Sequence, residues 1–500
     1  MKSALAFCTF AVIGIGGCML GPDYARPHMP ASETQSYFNT PAGWVDPNNP
    51  EAVGRWWESF QDDVINDLVR RAVAGNYDLR AAAARVTESE ALLVQVRGAR
   101  LPEVSYGLDR TRSKNRFFFF GEPFESYSTI YSQGFSVGFV ADIFGRLRRN
   151  EKAALAELAA SANDQQALVH AVIAQVVQAR VSVATQQELL NIAIANIRSR
   201  RETLEIVERR YNQGLVPSLD VYLARENLAT VRAVEPTIRQ NLALARNGLN
   251  VLVGQRPGFI SVVPSTLPEL PPLDPVPLGM PAALLDRRPD VRSAENQLAA
   301  ATNRIGANIA AMFPDLTLSG TWGTTAETFG GLSLVNADVY TAIIGLAAPV
   351  FQGGRLRASV EAAEARTEQA AANYAQVVLT AIREVEDALV EQQAIAARVE
   401  ELRVQAAEAR RAEELALQRY QRGLDRILIV LDTERRRIAA ESELAIAKGN
   451  LYNARINLYL ALGGDWRVDE ITASETNNGE AIQEGGIFRA VAEKREERNG

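Results

Sequence analysis

Two residue types that often carry chemistry are scarce in this 500-residue chain, which has two histidines, His28 and His170, and two cysteines, Cys8 and Cys18. Cys8 falls in an apolar N-terminal run, and removal of that run leaves Cys18 alone, so no intrachain disulfide can form. Stability must then come from packing and assembly. The chain lacks HExxH, a Walker loop and a GxSxG elbow, and Gly353-Gly354-Arg355 lacks the Lys-Ser/Thr of a phosphate cradle. It therefore reads as a non-enzyme with no cofactor and no metal. A basic excess is missing too: 53 Lys and Arg against 60 Asp and Glu give a formal charge of −7, which gives nucleic-acid binding no support. Past the N-terminus there is no run of about 18 apolar residues, so no membrane-spanning helix is expected and any bilayer crossing falls to strands.

What is present begins at residue 1. Met1-Lys2-Ser3 is a short positive start, and Ala4 to Ile15 is an apolar run the length of a signal-peptide core. Gly16 and Gly17 give a peptidase room to cut, which makes 1–17 a signal peptide and 18–59 the N-terminal segment of the mature chain. Ile15-Gly16-Gly17-Cys18 resembles a bacterial lipobox, which implies a multiply acylated Cys18. One acyl chain anchors only marginally, several anchor stably. Met19, where an aspartate would signal inner-membrane retention, favours the outer membrane under the same resemblance. The alternative is a secreted protein with an incidental Cys18.

The chain then says nearly the same thing twice. Tyr211-Asn212-Gln213-Gly214-Leu215 recurs as Tyr420-Gln421-Arg422-Gly423-Leu424, an offset of 209 (420 − 211). The offset holds without a gap through Leu219 and Leu428, Val221 and Val430, Leu249 and Leu458, and Gly254 and Gly463. Two tandem repeats are expected over 60–256 and 280–466, joined by a connector over 257–279 rich in proline (Pro264, Pro268, Pro271, Pro272, Pro275, Pro277). Each repeat reads helix, hairpin, helix, helix. Arg146 to Tyr211 contains no proline or glycine and lines up Leu168, Val172 and Val176 beside Val169, Ile173 and Val177. About 65 helical residues at 1.5 Å each reach roughly 100 Å, a length suited to crossing a periplasm. A second helix is expected from Ser218 to Val253, and the pattern repeats over Arg355–Arg422 and Ile427–Leu462. The polar tail, 467–500, reads as disordered.

Strands are expected where the helices pause. Val104, Tyr106 and Leu108 alternate with small or polar residues, as do Phe135, Val137 and Phe139, then Leu316, Leu318 and Trp322, and more weakly Tyr340, Ala342, Ile344 and Leu346. One apolar and one polar face is the pattern of an outer-membrane barrel strand, although a soluble hairpin packed on the helices also fits. Four strands cannot close a barrel, and open edges cannot face lipid. Two copies would give eight strands and a filled interior, whereas three give twelve and a water-filled lumen.

Leu284-Leu285-Asp286-Arg287-Arg288-Pro289-Asp290-Val291-Arg292, with Glu295, Ile305-Gly306, Ala310 and Phe313-Pro314-Asp315-Leu316-Thr317-Leu318, resembles the signature of TolC-like outer-membrane efflux lipoproteins of the NodT type. Cys18 with Gly21-Pro22-Asp23-Tyr24 and Pro27 resembles their mature start. Trp56-Trp57, Phe60 and Asn76 resemble the segment before the first helix, and Asp142-Ile143-Phe144-Gly145-Arg146 and Ala348-Pro349-Val350-Phe351 the strand-to-helix junctions. The resemblance, which runs from Cys18 to Trp466, implies a mainly α fold with a pair of β-hairpins. It further implies a homotrimer with a shared 12-stranded outer-membrane β-barrel and an α-helical periplasmic barrel. It implies an efflux exit duct docked on a periplasmic adaptor and an inner-membrane pump of the resistance-nodulation-division class.

The same resemblance places adaptor-docking tips at Gly214-Leu215 and Gly423-Leu424, where glycine permits a tight left-handed turn. It places a periplasmic constriction at Asp220, Asp432 and Tyr420. Asp220 and Asp432 differ by about one helical turn under the repeat, and in a trimer each forms a ring of carboxylates that repel one another and attract cations. Solvated helix-surface acids are the plainer alternative. Ile429 stands at the repeat mate of Asp220 and Asp425 follows Gly423, so the closing contacts depart from the family pattern. Phe117 to Phe120, with Phe124, Tyr127 and Tyr131, suggests an aromatic girdle or external loop. Arg146, Arg148 and Arg149 could steer anions or cap the sheet. Protein secretion, metal-ion efflux and a non-pore lipid-anchored tether remain as other readings.

Overall fold

The computed structural model describes residues 18–27, 55–119, 122–259, 287–329, 332–333 and 337–463. The expected signal peptide, most of the proline-rich connector, His28, Phe120, Leu284 to Asp286 and the C-terminal tail lie outside them. After a 3₁₀ turn at Trp56–Phe60 come α1 (Asp63–Gly75), α2 (Tyr77–Gly98), β1 (Glu103–Phe119), β2 (Glu122–Ala141), α3 (Arg146–Asn212) and α4 (Ser218–Leu252). The second half holds α5 (Pro289–Ala310), β3 (Asp315–Phe329), β4 (Leu332–Ser333), β5 (Ala337–Ala347), α6 (Arg355–Gln421) and α7 (Ile427–Leu462). α3 and α6 each have 67 residues, the same long helix in both repeats.

One detail corrects the sequence reading and a second bears on it. The segment expected to precede the first helix already contains α1, and Asn76 stands in the break between α1 and α2. Asp62 caps α1 by accepting from the Val64 amide at 2.9 Å, and Ile65, Leu68, Val69 and Ala72 give it one buried stripe. Gly75 and Asn76 stop it, and the Asn76 amide donates to the Leu252 carbonyl at the end of α4 (2.9 Å). Second, α3 is long and apolar enough, by length and composition, to cross a membrane, although no continuous apolar run marks it. Of its most apolar 18-residue window 61% is buried, and Val169, Val172, Ile173, Val176 and Val177 are core residues, so packing accounts for the apolarity.

The chain divides into two compact units. The first takes in residues 1–38, 78–167 and 280–385 and holds the sheet. Its core joins Val291, Ala294 and Leu298 of α5 to Tyr374, Val378 and Ala381 of α6, with Tyr24 packed against them. The second takes in 39–77, 168–279 and 386–500. There Trp56 stacks on Tyr459 and Phe60 on Tyr452, both at 5.6 Å between centroids. Arg180, fully buried, pairs with Asp62 at 3.2 Å.

β2 pairs with β3, so the two hairpins form one antiparallel sheet in the order β1-β2-β3-β5, with the two-residue β4 also on β3. Among the described residues β1 pairs only with β2 and β5 only with β3, which leaves an outer edge on each. Directly paired residues share a face. One row runs Tyr106, Phe135, Trp322, Tyr340; nearer the helices follow Val104, Val137, Gly320, Ala342 and then Phe139, Leu318, Ile344. Most of these side chains are uncovered: Tyr340 is 83% exposed, Ile344 75% and Trp322 66%, while Phe139 and Leu318 are half-buried. The reverse face carries Ser105, Ser136, Thr321 and Thr341 in register, and the two serine hydroxyls meet at 2.7 Å. A bare apolar face backed by a polar one is what lipid and a wet lumen require.

Candidate functional site

The turns after α3 and α6 are built alike. The Gly214 amide donates to the Tyr211 carbonyl (2.9 Å) and the Leu215 amide to the Arg210 carbonyl (3.0 Å); Gly423 and Leu424 repeat this onto Tyr420 and Arg419, both at 2.9 Å. Each is a Schellman closure with glycine in the left-handed region, φ +70° at Gly214 and +77° at Gly423. The residue after each glycine, Leu215 or Leu424, is exposed, as are Leu219 and Leu428 one turn on. Val207, Val221, Ala224, Ala416, Tyr420, Ile427 and Val430 form the buried cluster behind them.

A residue missed in the sequence ties the two turns together. Arg210 donates to the carbonyls of Tyr420 and Gln421, both at 2.8 Å, and its guanidinium lies 4.9 Å from the Tyr420 ring centre. These carbonyls end α6, where the i→i+4 ladder stops and Tyr420 accepts from Gly423 instead, so a cation there also meets the negative helix end. Arg419, its repeat mate, turns instead to Asp425 at 2.6 Å. The repeat mate of Asp425 is Val216, so Arg210 lacks the tip carboxylate that holds Arg419 and reaches across to the other tip, while Asp220 feels its charge. Tyr420 is 2% exposed, so its place is under Arg210 in the chain's own core.

The two candidate aspartates differ in state. Asp220 is half-buried in the first turn of α4, and burial pushes its carboxyl above the ordinary range against the pull of Arg210. Asp432 is held below that range by a hydrogen bond from Arg435 and the charge of Arg436, each at 2.7 Å. Within one chain, then, Asp432 is an ion-paired surface acid and Asp220 carries the less compensated charge.

Cys18 is exposed at the start of a strapped segment. The Leu20 amide donates to the Phe144 carbonyl (3.2 Å), and Arg149, 1% exposed, donates to the carbonyls of Leu20 (2.9 Å) and Gly21 (2.8 Å), to Asp23 (2.9 Å) and to Asn303 (3.2 Å). Gly306 lets the segment approach, since a Cβ there would lie 2.8 Å from the Leu20 carbonyl and 2.7 Å from Arg149. Glu295 accepts from Tyr24 (3.1 Å) and from Arg26 (2.7 and 2.8 Å). Arg146 pairs with Asp315 at 3.0 Å and Arg148 with Asp142 at 3.3 Å. Arg148 is thus spent on the strand-to-helix junction, Arg146 on the start of β3 and Arg149 on the N-terminal segment and Asn303, which favours a structural role over anion steering. His170 is buried along α3.

Residues 68–255 and 280–464 each match the family model described as outer membrane efflux protein. The chain belongs to this family. It is 31% identical to the toluene efflux pump outer membrane protein TtgF of Pseudomonas putida over 91% of this chain and 95% of that protein. It is 28% identical to the cation efflux system protein CusC of Escherichia coli, over 93% and 98% respectively. Among solved structures, the outer-membrane channel OprN superposes with a TM-score of 0.80 at 31% identity, covering 89% of this chain and 99% of that one. Family membership makes the protein an outer-membrane efflux channel, with two tandem repeats in a TolC-like fold, and not an enzyme. It acts as the outer-membrane component of an efflux pump.

Proposed function

We propose that three copies of this chain form the exit duct of a tripartite efflux system. They share a 12-stranded barrel in the outer membrane and a helical barrel that meets a periplasmic adaptor and an inner-membrane pump of the resistance-nodulation-division class. The observation that carries this reading is the sheet: two unpaired edges and a bare apolar face make one chain an incomplete part of a closed wall. Residues 1–17 are the leader, 60–256 and 280–466 the two repeats, and 257–279 the connector. Cys18, strapped beside the foot of β2, carries the acyl anchor at the inner rim of the barrel.

The tips at Gly214-Leu215 and Gly423-Leu424 dock the adaptor through their exposed leucines. Asp220 rings the constriction and Asp432 lies near it, with Tyr420 and Arg210 as the brace that fixes the two hairpin ends together. The duct is passive. TtgF and CusC, similar to this chain to nearly the same degree, are named for toluene and for cations, which fits a conduit whose cargo is chosen upstream. The test is to delete the gene, then the neighbouring adaptor and pump genes one at a time, and profile sensitivity to drugs, solvents and metals. The three deletions should share one profile. A duct deletion that impairs protein secretion and leaves resistance intact would overturn the efflux reading.

A further inference from the structure

The apolar face of the sheet does not stay apolar along β1. Beyond the aromatic row at Tyr106, the same face carries Leu108 and then Arg110, Arg112, Lys114 and Arg116 at every second position. Their β2 partners are Tyr131, Thr129, Tyr127 and Glu125. Ion pairs run from Lys114 and Arg116 to Glu125, both at 2.8 Å. Arg110 and Arg112 lie over the rings of Tyr131 and Tyr127, 5.5 and 6.0 Å from the ring centres, and Lys114 shares the Tyr127 ring at 5.4 Å. Among the described residues of the first hairpin, four cations face one carboxylate here. The second hairpin carries Thr324, Ala326 and Asp338 on this face, so the basic stripe belongs to the first hairpin.

Direction follows from topology. β1 starts and β2 ends at the helices, so the stripe lies toward the hairpin tips, past the aromatic row and away from Cys18. In an outer-membrane barrel, aromatic girdles mark the interface between hydrocarbon and headgroups. The basic stripe then sits on the lipid side at the headgroup level of the outer leaflet. Guanidinium forks gathered over tyrosine rings suit bidentate capture of phosphate.

We propose that Arg110, Arg112, Lys114 and Arg116 form a binding site for the phosphate-bearing headgroup of an outer-leaflet glycolipid, one site per protomer. The inference rests on the duct reading for its orientation in the membrane. The test uses full-length protein in non-ionic detergent, with lipid A bearing both phosphates as probe, its dephosphorylated form as control and inorganic phosphate as competitor. R110Q/R112Q should weaken binding of the phosphorylated lipid at least about tenfold, and the lysine double variant should recover part of it. Single-channel conductance should not change in either. Where the double variant fails to insert, R112Q alone and the salt dependence of the wild type carry the test, and affinity must fall as salt rises. Equal affinity of variant and wild type, equal binding of the dephosphorylated lipid, or full displacement by millimolar phosphate would each overturn the site. A wild type that binds lipid A but conducts no ions would sink the duct reading alone.

Discussion

Arg149 and Arg180 are both almost fully buried, but breaking the two ion pairs, one by removing Arg149 and the other by removing Asp62, should have different consequences, because the group left behind is exposed in the first case and buried in the second. Asp23, the partner of Arg149, is 77% exposed, whereas Asp62, the partner of Arg180, is 6% exposed. Arg149→Ala therefore removes donors from the Leu20 and Gly21 carbonyls without stranding a buried charge. It should cost about 1–3 kcal/mol of local stability, read as faster hydrogen exchange of the Leu20 amide. Asp62→Ala takes away the cap of α1 and the carboxylate beside buried Arg180, and should cost about 3–5 kcal/mol in exchange along α1. Equal effects would mean that burial of the counter-ion does not decide the cost. Gly214→Ala meets no atom within 4 Å but keeps a φ of +70°, so it should loosen the tip by only about 1–2 kcal/mol, read at the Leu215 amide. The importance of the arginines at 146, 148 and 149 was legible in the sequence because they follow a strand end. Their partners were not, since Asp23 and Asn303 lie 126 and 154 positions from Arg149.

The long helices were the most legible elements. Unbroken periodicity without glycine fixed α3 to within one residue, and α7 agrees at both ends. The break between α1 and α2 was not legible, because Gly75-Asn76 acquires its meaning from contact with the end of α4. The repeat likewise predicts equivalent tips, and the structure makes them unequal: Arg210 reaches across while Arg419 stays home. The same inequality governs the acids near the tips. Burial raises the Asp220 carboxyl, and Arg435 and Arg436 depress Asp432, so falling pH protonates Asp220 first. A duct lined by both should lose cation selectivity in two steps, measured as reversal potential under a salt gradient in planar bilayers. Asp220→Asn should abolish the step at higher pH, and Asp432→Asn the one at lower pH. Selectivity that is flat with pH, or unchanged in both variants, takes the two acids out of the pathway. The sign for stability is opposite to that for selectivity. A carboxyl raised on folding favours the folded state below its unfolded pKa and loses that contribution as pH rises through the folded value, so Asp220→Asn should stabilise the tip at neutral pH.

At the scale of the whole molecule, the alternation of residues foretold the sheet, but the pairing of β2 with β3, which merges two hairpins, needed the structure. Among the described residues that merger leaves an outer edge on β1 and on β5, and in the proposed trimer three such sheets would close as twelve strands. Assembly should therefore depend on the β5 edge, and proline can test it because it removes one amide donor. Neighbouring amides on a strand point to opposite sides, so of Ala342→Pro and Ile343→Pro one strikes the β3 ladder and the other the outer edge. Light scattering in detergent should give a trimer for the wild type and its loss in both variants. Hydrogen exchange should separate the two: the edge variant keeps the protection of β3 against β5, and the ladder variant loses it. A trimer that survives the edge variant intact would mean that β5 is not paired to a neighbouring copy, and the shared wall would have to be abandoned.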